Sequence, residues 1–170
     1  MIVLHGELDG EKREAWFSEC GLYRYLLDIV WDSSLPMMTT IALNPSKASH
    51  LVNDNTIVRC KKFARLRGFG GYRMLNAFAL RSTNPKQLFV AKDPVGRENT
   101  IDFLTAHRTP MTIAAWGATI QSRRWKYWYR GHEIAGAIRD LMCFKKTAEG
   151  HPFHPLYLSW DVEPVPFSYA

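Results

Sequence analysis

MMTTIALNPS, residues 37–46, is the stretch that decides the fold. Its run from Met37 to Leu43 is continuously apolar apart from two threonines, and it stops at Asn44-Pro45. Continuous rather than alternating apolarity is the pattern of a strand buried on both faces, as central parallel strands are. Outward along the chain the same reading recurs. LYRYLLDIVW (22–31) is rich in aromatic and β-branched residues and ends at Asp32-Ser33-Ser34. YRMLNAF (72–78) follows the Gly70-Gly71 turn, and MTIAAWG (111–117) is a third apolar run. Between them, Ile57, Cys60, Phe63, Ala64 and Arg67 recur at three- and four-residue spacing, which predicts an amphipathic helix begun by Asn53 or Asp54 and ended by Gly68. Asn84-Pro85 starts a short turn or helix. Asp93-Pro94 is expected to open a longer helix with Ile101, Leu104 and Thr105 inward. Glu133 to Met142 reads as a helix, and residues 143–148 as a last short strand. The strand–helix rhythm predicts one α/β domain spanning residues 1–170, with a mostly parallel sheet and right-handed crossovers.

The balance of charge points to a polyanionic partner. The 170 residues carry 22 Lys and Arg against 16 Asp and Glu, a net charge of +6. Such a surplus favours nucleic acid, because neutralising phosphates releases counterions. The 3 cysteines, Cys20, Cys60 and Cys143, are far apart and in no CxxC spacing. That fits a reducing compartment and excludes a four-cysteine iron–sulfur cluster made by this chain alone. The start, MIVLHGELDG, lacks the basic residues and apolar run of a signal peptide, and no segment has the roughly 20 apolar residues that span a bilayer. A cytoplasmic protein with no membrane partner is expected.

The ends of the predicted strands hold the chemistry. Asn44 ends the first run, Asn76 interrupts the second, and Trp116-Gly117 ends the third. A carboxamide inside an apolar strand must find partners or cost about 1–3 kcal/mol, and it can read both donors and acceptors on a base. HPFHPLY (151–157) places His151 and His154 three apart, each before a proline that prevents a helix. An imidazole there is suited to stabilising charge on a departing group. Neither histidine has a Cys or carboxylate at ligand spacing, so no metal is expected. Asp54 serves as helix cap and is also the candidate carboxylate for activating water. Arg123, Arg124, Lys126 and Arg130 alternate with Trp125, Tyr127, Trp128 and Tyr129, a mixture suited to phosphate contact and base stacking. Ser46, Lys47 and Arg81 lie in or beside the strand-end loops and complete the candidate DNA contacts.

Four of these segments, in this order, resemble the uracil-DNA glycosylase superfamily: Asn44-Pro45, Asn76 in MLNAF, Ala115-Trp116-Gly117, and HPFHPLYLS (151–159). The resemblance implies a three-layer α/β sandwich around a central, mostly parallel four-stranded sheet. It implies a monofunctional DNA N-glycosylase that flips out a pyrimidine and needs no cofactor. By the same resemblance Asn76 reads the base edge, Trp116 belongs to the base pocket, and Phe78 or Phe153 stacks on the base. Asn44 with Asp54 positions the water, His151 or His154 stabilises the leaving base, and Leu156 or Tyr157 fills the vacated stack. Aligned from its first His-Pro the loop favours His151; aligned on Pro155-Leu156 it favours His154. The chain departs from the family where the classical enzymes carry an aspartate at the Asn44 position, and no aromatic residue closely follows Asn44. As a whole it also resembles a bacterial and phage family known only as a domain of unknown function. It shares that family's Leu43-Asn44-Pro45-Ser46, its Asp54-to-Cys60 helix start and its His151-to-Tyr157 segment. That setting makes a modified pyrimidine and a role in antiviral defence the natural expectation. A non-catalytic reader of modified DNA and a small-molecule N-glycoside hydrolase are the alternatives.

Overall fold

The chain begins with a hairpin. Ile2–Leu8 (β1) and Glu11–Phe17 (β2) pair antiparallel from Leu8↔Glu11 out to Ile2↔Phe17. The two residues between them, Asp9 and Gly10, both have positive φ, at 55° and 73°. That is the turn whose own twist matches the twist of the flanking strands, and Asp-Gly is among the pairs that tolerate it best. Arg24–Val30 (β3) returns antiparallel beside β2. This computed structural model describes residues 1–119 and 125–169.

Beyond β3 the sheet changes character. Met37–Ala42 (β4), Gly71–Asn76 (β5), Met111–Ala115 (β6) and Leu141–Cys143 (β7) run parallel, in the order β5-β4-β6-β7. β3 lies antiparallel against β5, and Val165–Pro166 (β8) closes the far edge antiparallel to β7. The whole is an eight-stranded mixed sheet ordered β1-β2-β3-β5-β4-β6-β7-β8. Four of its seven pairings are antiparallel. The expected sandwich around a central, mostly parallel four-stranded sheet is therefore incorrect. The hairpin and the strands at either end, which the apolar-run reading passed over, turn it into a broad mixed sheet.

Helices are few and short. Asn55–Leu66 (α1) is capped by Asp54, whose Oδ1 accepts the Ile57 N–H at 2.9 Å, and Gly68 at φ 75° ends it. Ile57, Cys60, Phe63 and Ala64 are its buried face, as the spacing predicts. Gln87–Val90 (α2) is a single turn. The helix expected from Asp93 starts only at Ile101–Ala106 (α3), because the Asp93 carboxylate accepts the N–H groups of Val95 and Gly96 and holds a turn there. Arg130–Ala137 (α4) ends before Met142, and the strand expected over 143–148 is β7 itself, displaced toward the N-terminus.

The sheet separates two cores. On one face Leu26, Ile41, Leu75, Ala114 and Trp116 meet Leu104 of α3 and Ile134 of α4. On the other, Leu27, Met38, Met74 and Ile113 meet Ile57, Cys60 and Phe63 of α1. Neighbours in one strand serve opposite cores, which is why β3 to β6 read as continuous apolar runs. A buried ion cluster ties the hairpin to α1. Glu11 accepts hydrogen bonds from Arg13 at 2.7 Å, Lys61 at 2.5 Å and Arg65 at 2.8 Å. Arg13 also reaches Asn53 Oδ1 at 2.9 Å, fixing the chain just ahead of the Asp54 cap.

Candidate functional site

The parallel strands β4, β5 and β6 end on one side, and a cavity of about 450 Å³ opens there. Ligand sites in open α/β sheets form beyond the carboxyl ends of parallel strands, and this volume lies in the usual range of about 300–1,000 Å³. The cavity takes Ala42 from β4, Met74 from β5 and the edge of Trp116 after β6. The connecting loops add Asn44, Ser46, Asp54, Ser82, Thr83, Gly117 and Thr119, and Thr147, Phe153 and His154 close it from the C-terminal side.

Asp54 spends one carboxylate oxygen on the α1 cap, and its Oδ2 has no partner among the described residues. Asn44 is held by its amide nitrogen, which donates to Ser82 O at 2.9 Å and Pro45 O at 3.1 Å. Its Oδ1 remains unengaged among the described residues, so the group presents an acceptor and no base. His154 accepts the Leu156 N–H on Nδ1 at 3.3 Å. That bond puts the ring proton of the neutral form on Nε2, the only remaining polar atom of the ring. Burial lowers the His154 pKa and outweighs the nearby Asp54 carboxylate, which raises it, so the neutral donor is the favoured form. Phe153, half-buried, is the aromatic ring in the wall.

The two histidines are thereby separated. His151 lies outside the cavity lining, with Nδ1 3.4 Å from the Tyr169 hydroxyl, which itself accepts the Trp116 Nε1–H at 2.9 Å. Trp116 thus offers the cavity its edge but not its indole N–H. Asn76 is buried one layer down, paired in register with cavity-lining Ala42, and its Oδ1 accepts from Arg24 at 3.2 Å. Phe78 is no stacking ring: it sits in the α3–α4 core against Trp125, with ring centroids 5.0 Å apart. Leu156 is half-buried in the 3₁₀ turn Pro155–Tyr157, which Arg59 holds against α1 through Pro155 O at 2.8 Å. The side chain of Tyr157 lies outside the described residues.

Beside the cavity, and sharing Ser46, Ser82 and Thr83 with it, runs a shallow groove that includes Lys47, Arg81 and Gln87. The aromatic-basic cluster contributes less than expected. Arg123 and Arg124 lie outside the described residues, and Lys126 is exposed over the Tyr127 ring. Arg130 is corrected from DNA contact to internal brace. It is buried, donating to Ala77 O at 3.1 Å and Asn99 O at 2.5 Å, because these carbonyls at the sheet end need donors. Arg24 is the residue that sequence reasoning missed. A cation inside LYRYLLDIV carries the same signal as Asn76 inside its strand.

Residues 24–156 match the model of the family described as protein of unknown function (DUF1643). The chain belongs to this family. The match runs from β3 through the whole cavity to the 3₁₀ turn and leaves the β1–β2 hairpin outside. No curated protein and no solved structure matches the chain, and nothing links it to the uracil-DNA glycosylase superfamily. Among the described residues, no helix is long and apolar enough to cross a membrane, and no group of three or more His, Cys, Asp or Glu is arranged to hold a metal.

Proposed function

We propose that this DUF1643 protein is a DNA base-excising hydrolase acting on a pyrimidine, with a modified pyrimidine as its preferred substrate. The observation that carries the reading is the presence of Asp54, His154 and Phe153 on one base-sized cavity that continues into the Lys47–Arg81 groove. In the reaction, the N-glycosidic bond from the sugar C1′ to the base breaks and a bond from water oxygen to C1′ forms. The Asp54 carboxylate orients the water and takes its proton, with Asn44 Oδ1 as a second acceptor. The departing base leaves with the electron pair of the broken bond, and the His154 Nε2–H donates to it. Phe153 stacks on the flipped base, and Lys47 and Arg81 hold flanking phosphates.

The order of the strand-end motifs, which resembles that of the uracil-DNA glycosylase superfamily, supports the same reaction, while the sheet around them is a different one. DNA as partner and three unpaired cysteines fit a cytoplasmic setting and a role in antiviral defence. Incubation with duplexes carrying uracil, a thymine–guanine mismatch, hydroxymethylcytosine or its glucosylated form, followed by alkali, tests the reading. Strand breaks that appear only after alkali are expected on at least one substrate. Binding without breaks on all four replaces the enzyme with a non-catalytic reader of modified DNA.

A further inference from the structure

Behind the cavity wall lies a buried cation that no carboxylate touches among the described residues. Arg24 has no solvent exposure, and its guanidinium meets only neutral acceptors. These are Ala48 O at 2.7 Å, Met74 Sδ at 3.0 Å and Asn76 Oδ1 at 3.2 Å. It makes no salt bridge among the described residues, and its Nε is unpartnered. Burial brings its pKa down to about 10 against the opposing pull of the nearby Asp54 carboxylate, so it remains a cation at neutral pH. The neighbouring carboxamide adds to the same deficit. A guanidinium can only donate, so Asn76 must turn its oxygen toward Arg24 and its NH2 away. That Nδ2 is buried and has no partner among the described residues. Arg24 Nε and Asn76 Nδ2 are thus two buried donors without a partner among the described residues, a deficit that an anion would make good.

Met74 links the pair to the cavity. Met74 lines the cavity and touches the guanidinium with its sulfur, and Ala42, also in the lining, is the register partner of Asn76. Methionine is unbranched and turns about three bonds, so it is well suited to act as a movable plug. We propose that Arg24 and Asn76 form an oxyanion subsite behind Met74, entered from the cavity, that receives a phosphate or carboxylate group of the bound substrate. The inference rests on the base-excision reading only for the carrier of that group, a nucleotide. The group is then either the nucleotide's own phosphate or an acidic substituent on its base.

Titration calorimetry on the full chain, with the Arg24 Nε–H followed by nitrogen NMR, tests this. The ligands are inorganic phosphate, a pyrimidine deoxynucleoside, its 5′-monophosphate and its 5-carboxy derivative. Phosphate is expected to bind the wild type and shift the Arg24 resonance, with affinity lower by about tenfold or more in Arg24→Met. A monophosphate that outbinds its nucleoside assigns the subsite to the phosphate, whereas a better-binding 5-carboxy nucleoside assigns it to the base. Met74→Ala removes the plug and leaves both donors, so it should bind phosphate several-fold more tightly, and this holds the test even if Arg24→Met fails to fold. Phosphate binding that neither variant changes, or none in Met74→Ala, overturns the subsite. Binding is read without turnover, so base release without phosphate binding would defeat the subsite alone, and phosphate binding without base release would defeat the base-excision reading alone.

Discussion

Two arginines on neighbouring strands, Arg13 of β2 and Arg24 of β3, are both buried under the α1 side of the sheet, yet their surroundings are opposite. Arg13 meets the Glu11 carboxylate, which Lys61 and Arg65 also grip, and Asn53 completes its ring of partners. Arg24 meets a carbonyl, a thioether and a carboxamide. Each leaves its Nε without a partner among the described residues, so the difference between them is a bonded carboxylate rather than a count of hydrogen bonds. A compensated buried cation holds the fold together, joining the hairpin to the helix that presents Asp54. One that no carboxylate touches, with Asp54 acting on it only from a distance, spends stability at the cavity wall, where a ligand can return it.

The largest effect should come from breaking the compensated cluster. Burial pushes the Glu11 carboxyl up, but the bonds from Lys61, Arg65 and Arg13 outweigh it and hold its pKa below the ordinary value. Glu11→Ala leaves Arg13 buried and unpaired, and should cost about 3–5 kcal/mol in urea unfolding. A loss near zero would erase the contrast. Arg24→Met should change stability by only about 1 kcal/mol in either direction. Shedding an unpaired charge offsets the hydrogen bonds lost at Ala48 and Asn76. A penalty as large as that of Glu11→Ala would make Arg24 a brace like Arg13.

Two smaller effects sharpen the cavity side. The His154 pKa is lowered by burial, so its neutral form contributes stability that is present above the ordinary histidine pKa of about 6.5 and is lost as pH falls through the folded value. Histidine NMR should show this ring titrating below that value. At the α1 cap, Asp54→Ala should cost about 1 kcal/mol in the same unfolding experiment. Asp54→Asn keeps a good cap and should cost only a few tenths.

Strands β3 to β6 were legible because two-sided burial leaves continuous apolar runs, and α1 because its buried residues recur every three or four positions. The hairpin was not, although Asp9-Gly10 signals its turn. β2 turns Glu11, Arg13, Ala15 and Phe17 inward, so charged residues occupy half of the positions that apolar alternation would mark. The ion cluster that secures the hairpin is what disguises it. The strand-end loops were found because Asn, Pro and Gly interrupt apolar runs there. Residue type says nothing of direction, however. Arg130 and Phe78 turn inward, and only the fold separates His154 from His151.

The most direct test of the account is the turnover of Asp54→Asn on whichever duplex the wild type depyrimidinates, read as alkali-labile breaks beside a melting curve. The account predicts a fall of about 10²–10⁴ in rate with the melting temperature nearly unchanged, since the cap survives and only the proton acceptor is lost. Undiminished base release from a well-folded Asp54→Asn protein would contradict it.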